Sequence, residues 1–160
     1  MSAASLPASN IGTRRGGRLG GLVELLVVIT ISAILMSIAV PTYQAQVRKS
    51  RRTAAKTALL DLASREERYM STNNVYSNTA ANLGYSALPT VIGGGYYRLS
   101  IPAPVASTAT APAFFTATGT VVSGSGQEKD ASCYSFAVDS TGMQTSLNSV
   151  GANSSGTCWQ

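Results

Sequence analysis

The chain contains no histidine among its 160 residues. That excludes a Ser–His–acid triad and any metal site built on imidazole. Charge is scarce as well, at 12% of residues, and the second half is dominated by alanine, serine, threonine and glycine. No metal-ligand cluster and no phosphate-binding glycine loop of the Walker type is present, so the sequence reads as a non-enzyme with no metal and no cofactor. Cysteine is limited to Cys133 and Cys158. In a cytosolic chain this pair would stay reduced; beside a membrane or export segment it reads as an intrachain disulfide. The loop closed is about 25 residues, worth about 3–4 kcal/mol in the chain-entropy picture.

What the sequence has is one long apolar run. Residues 22–40 are apolar or small throughout except for Glu24, three positions in. Nineteen residues make a helix of about 28 Å, close to a bilayer core of about 30 Å. A carboxylate at the centre of such a span costs about 2.5–3.5 kcal/mol and less near its end, but at membrane depth it still calls for a partner. Ahead of the run, residues 1–21 are polar, Gly-rich and basic with no apolar period, which predicts a disordered leader. Three of the twelve basic residues, Arg14, Arg15 and Arg18, lie there. Without them nine basic residues face seven acidic ones, too small an excess to imply a nucleic-acid partner by itself.

The run ends at Pro41, which removes a helical hydrogen bond and predicts a kink or break. Beyond it the pattern stays helical but becomes two-faced. Ala55, Ala58, Leu59 and Leu62 stand at i, i+3, i+4, i+7, and Tyr69 extends the stripe. Arg48, Lys49, Arg51, Arg52, Lys56, Asp61, Arg65, Glu66, Glu67 and Arg68 fill the polar positions. One helix over about 22–71 is expected, greasy all round in its first half and packed by one face in its second. Residues 72–95 read as loop. Short strands are predicted at 96–101, 114–118 and 134–138, with Asp139–Gly142 turning into a fourth at 143–146. The fold class expected is α+β, a long N-terminal helix on an antiparallel sheet of about four strands. The polar tail would fray without the Cys133–Cys158 staple.

These features together resemble a type IV pilin, of the PilE-type minor pilins of Gram-negative bacteria. The resemblance is carried by Gly21 to Ile29 around Glu24, by Ala39-Val40-Pro41-Thr42-Tyr43, and by the helix Arg48–Tyr69. Ser71 to Tyr76 and the terminal Cys158-Trp159 extend it. It implies a leader over 1–20, a transmembrane and filament-core helix over 21–41, and a head over 42–160. Within the head it implies a helix to 71, a loop over 72–95, a sheet over 96–146 and a disulfide-closed region over 133–158. Leu19, Gly20 and Gly21 bracket the implied processing point. Cleavage four residues ahead of the glutamate leaves Leu19 where the family carries glycine; cleavage after Gly20 restores the glycine but sets Glu24 one position early.

The resemblance further implies that Glu24 neutralises the free α-amino group of a neighbouring subunit, since a charge in a dry helical bundle must be paired. The implied partners are other pilin subunits, a prepilin peptidase, the inner-membrane pilus assembly machinery and the lipid bilayer. The implied location is the bacterial inner membrane with a periplasmic head before assembly, and the surface pilus afterwards. Motility, adhesion and DNA uptake are all open as tasks. The basic cluster Arg48–Lys56 reads first as a solvated face making subunit salt bridges, with phosphate contact to anionic lipid or DNA as the alternative. Tyr96-Tyr97 and Phe114-Phe115 read as core and sheet-edge residues, and Glu128, Asp130 and Asp139 as dispersed surface acids. A pseudopilin of a type II secretion machine is the alternative within the same logic. An exported soluble protein is the alternative outside it, with Thr13-Arg14-Arg15 as its signal and Ser37-Ile38-Ala39 as its cleavage site.

Overall fold

The computed structural model describes residues 18–109 and 111–160. Most of the expected leader, residues 1–17, lies outside the described residues. The chain falls into two units, Met1–Tyr43 and Gln44–Gln160.

The described part of the first unit is the start of α1, which runs Arg18–Asn73 with Pro41 inside it. Helical assignment continues through the proline, although its missing N–H leaves the Ser37 carbonyl without the usual donor. Small polar residues in this stretch bond to their own backbone. Thr30 donates to the Leu26 carbonyl at 2.7 Å, Ser37 to Ile34 at 2.7 Å and Thr42 to Ile38 at 2.9 Å. A hydroxyl that donates back into its own helix leaves an apolar exterior. Among the described residues this is the one helix long and apolar enough to cross a membrane.

In the second unit, the remainder of α1 packs on one antiparallel sheet of five strands in the order β1-β2-β3-β4-β5. The strands are β1 Thr90–Ile92, β2 Tyr97–Ser100, β3 Thr116–Val121, β4 Ser135–Asp139 and β5 Gln144–Leu147. A short helix, α2, closes the described chain at Ser155–Cys158. Two segments of 3₁₀ helix, Ala80–Leu83 and Gln127–Lys129, interrupt the connections.

Period-two alternation on the strands faces period-3.6 spacing on the helix, and the core is where the two meet. Ala55, Leu59 and Leu62 of α1 are fully buried, as are Tyr97 and Leu99 of β2 and Ala117 of β3, with Phe136 and Val138 of β4 nearly so. Gly119 sits at the centre. A Cβ there would lie 3.3 Å from Leu59 Cδ1, so the absence of a side chain lets the helix seat directly on β3. On the other face of β3, Thr116, Thr118 and Thr120 point outward, and Thr118 shares a 2.9 Å hydroxyl contact with Ser100.

Four expectations need correction. The loop over 72–95 contains a 3₁₀ turn and a fifth strand, β1, which is only three residues long and lies between Pro89 and the Gly93–Gly95 turn, too short for a periodic signal. The strand expected at 114–118 lies instead at 116–121, because Gly119 reads as a breaker in sequence but fits the close helix approach. Phe114 is left outside it, half-exposed and paired only through a bridge to Val105. Glu66, placed among solvated positions, is fully buried, and so nearly are Asp130 and Asp139.

Leu59→Ala should cost about 3 kcal/mol, since the cavity opens against a glycine that cannot fill it. Urea unfolding of the full chain checks this; a loss below about 1 kcal/mol would show that helix and sheet are not held by this contact.

Candidate functional site

The expected site residues fall in three places. Leu19, Gly20 and Gly21 stand at the described start of α1, followed within the same helix by Glu24 and Pro41. Glu24 is exposed and has no partner among the described residues. Around it, Leu22, Val23, Leu25, Leu26, Val28 and Ile29 are each more than half exposed. A continuous apolar cylinder of this length exceeds what a soluble surface tolerates and needs lipid or other helices around it. Cys133 and Cys158 are bonded, with Cα atoms 5.7 Å apart.

The disulfide is one part of a C-terminal lock. Trp159 donates its indole N–H to the Thr145 carbonyl at 2.7 Å and meets Phe136 edge-on at 5.7 Å. Lys56 reaches from α1 to the carbonyls of Cys158 and Gln160, each at 3.2 Å. The polar tail is therefore held at several points.

A second lock joins α1 to the Gln127–Lys129 turn. Arg52 binds Asp130 through two nitrogens, each at 2.5 Å. Such a fork-on-carboxylate pair fixes geometry as well as charge. The buried amide of Gln127 donates to Asp130 at 3.0 Å and to the Tyr97 hydroxyl at 3.1 Å. Burial pushes the Tyr97 phenol up to about 12, so it stays neutral. Arg51 stacks over the Tyr96 ring at 3.5 Å, a cation–π contact. None of these long-range partners was legible in the sequence, which places Arg51 and Arg52 on a helix but gives no sign of what meets them.

A third set ties the segment after α1 to the helix. Tyr85 and Arg65 both bind Asp61, Arg65 also donates to the Leu83 carbonyl at 3.0 Å, and Tyr76 donates to Glu67 at 3.0 Å. Glu66 accepts the Ser77 N–H at 3.0 Å through Oε2, while its Oε1 is buried without a partner among the described residues. Burial raises the Glu66 carboxyl above its ordinary value; the Ser77 N–H works against this and Glu67 adds to it. Asp139 behaves oppositely. Burial pushes it up, but three hydrogen bonds from Thr141 and Met143 outweigh that and hold it low.

The head thus gives its acids partners within the fold, three of them buried. All six acids between 44 and 160 are engaged. Asp61, Glu66, Glu67, Asp130 and Asp139 hold the partners above, and Glu128 accepts the Gly124 N–H. Of its nine basic residues, the side chains of Arg48, Lys49, Arg68, Arg98 and Lys129 make no hydrogen bond or ion pair among the described residues. Asp61 and Glu67 remain exposed while holding their partners, so the cations without a partner outnumber the acids without one.

Glu66 gives a pH test. Its folded value lies above its unfolded one, so the penalty for ionising it is absent below about pH 4.5, its ordinary value, and complete above the raised one. Glu66→Gln should therefore gain on the native chain as pH rises through that window. Thermal unfolding of both at pH 4 and pH 7 checks the sign; a difference that does not change with pH contradicts it.

A family model described as type IV minor pilin ComP, DNA uptake sequence receptor, matches residues 41–137. No curated protein matches the chain significantly.

Proposed function

We infer from one premise, that this chain belongs to the type IV minor pilin ComP family, that it is a pilus subunit whose head captures DNA for uptake. Among motility, adhesion and uptake, the family's description favours the last. The observation that carries the reading is the division of partners in the head: every acid holds a hydrogen-bond partner, while five cations have none among the described residues. Free cations exchange counterions for phosphates, and this supplies much of the affinity of any DNA-binding surface.

In this reading the subunit waits in the bacterial inner membrane as a single span with its head in the periplasm. A prepilin peptidase removes the leader in the Leu19–Gly21 region. The apolar helix then exchanges lipid for the helices of other subunits, guided by the inner-membrane assembly machinery. Glu24, without a partner among the described residues, meets the freed α-amino group of a neighbour, which offsets the cost of carrying a carboxylate into a dry bundle. Pro41 is the point where the span ends and the helix has one bond fewer to resist bending.

Two outcomes follow. The full-length chain in detergent should bind duplex DNA with an affinity that falls with salt, at a log–log slope of about −4 if most of the five free cations meet phosphates. Filter binding from 50 to 300 mM KCl measures it, and a salt-independent affinity or none at all removes the DNA reading. Separately, Glu24→Ala should still reach the membrane but enter surface fibres poorly. Quantifying the subunit in sheared pili against whole cells tests this; wild-type incorporation would refute the pairing.

A further inference from the structure

The four α1 residues Lys49, Arg52, Thr53 and Lys56 follow i, i+3, i+4, i+7 spacing and so share one face of the helix. Together with Thr157, Cys158 and Gln160 they line a groove of about 300 Å³, at the lower end of the range for small-ligand sites. Three of the seven lining residues are cationic, and none carries a carboxylate side chain.

The cations are held in place, yet keep donors in reserve. Arg52 commits two nitrogens to Asp130, whose side chain is 2% exposed, and its remaining N–H groups have no protein partner among the described residues. Lys56 donates to two main-chain carbonyls, which leaves one of its three N–H bonds available. Lys49 has no side-chain partner among the described residues. The opposite wall is fixed by the Cys133–Cys158 bond. Oriented donors carrying positive charge, in a groove lined by no acidic side chain, suit a phosphate oxygen.

We propose that this groove is a phosphodiester-binding site in which the backbone of captured DNA seats one phosphate between Lys49 and Lys56. The groove's preference for phosphate follows from its own residues; the identity of the phosphate's owner rests on the DNA reading above. The site differs from the dispersed free cations in being concave and preorganised. It fixes where the duplex lies, whereas exposed lysines and arginines add attraction without register.

Trp159, the single tryptophan, has its ring 5.9 Å from Lys56 Nζ and serves as a built-in reporter. The experiment titrates the full-length chain in detergent with inorganic phosphate at constant ionic strength and follows Trp159 fluorescence. It then measures duplex affinity against KCl concentration. The wild type should give a saturable phosphate response. Lys49→Gln, whose side chain supports nothing in the fold, should weaken that response about tenfold and make the DNA salt slope shallower by about one. Lys56→Gln should do the same, with circular dichroism to confirm folding. Absence of a saturable response in the wild type overturns the proposal. Wild-type phosphate response and DNA slope in Lys49→Gln overturn the groove while leaving the DNA reading intact. A chain that answers phosphate but binds no duplex overturns both the ligand assigned here and the DNA reading, and leaves the groove's phosphate chemistry standing.

Discussion

The head depends on one contact, Leu59 of α1 seated over Gly119 of β3. A helix with side chains on every face can approach a sheet only as closely as the largest facing pair allows. A glycine at the centre of the middle strand removes half of that pair. Ala55 and Leu62, one turn to either side, can then reach the sheet, and the long polar side chains at the flanks come within reach of their partners. The Arg52–Asp130 fork and the Lys56 contacts to the C-terminal carbonyls are possible because the helix sits this close.

The same proximity explains how charge is distributed. Acids near the helix surface find backbone N–H groups, tyrosine hydroxyls or guanidinium groups at short range, and three of them, Glu66, Asp130 and Asp139, are buried. Basic side chains are longer and reach past these partners to solvent. A chain with only a modest excess of basic residues therefore keeps several cations without a partner among the described residues.

The sequence exposed the parts governed by local period. The apolar run, the Ala55–Leu59–Leu62 stripe, and the strands around Tyr97, Phe136 and Gln144 all carry their pattern within a few residues. The paired cysteines were legible because a membrane segment stood in the same chain. Whatever depends on residues far apart was hidden. Glu66 looks like any solvated helix acid until the segment around Ser77 folds over it. Asp130 looks dispersed until Arg52, 78 positions earlier, arrives. The i, i+3, i+4, i+7 spacing of Lys49, Arg52, Thr53 and Lys56 was present in the sequence, but a row of donors on a helix becomes a groove only when a second wall is supplied, and that wall comes from the last few residues.

β1 has a consequence for assembly. It is the outermost strand on its side, three residues long, with Pro89 before it and three glycines of positive φ after it. Its unpaired backbone groups are too few to template another chain, and the proline contributes no donor. Subunits brought side by side in a fibre carry their sheets close to one another at high local concentration, the circumstance in which strands fuse between molecules. In the fibre proposed above, a ragged, truncated margin would keep such heads as separate objects and leave polymer growth to the apolar helices.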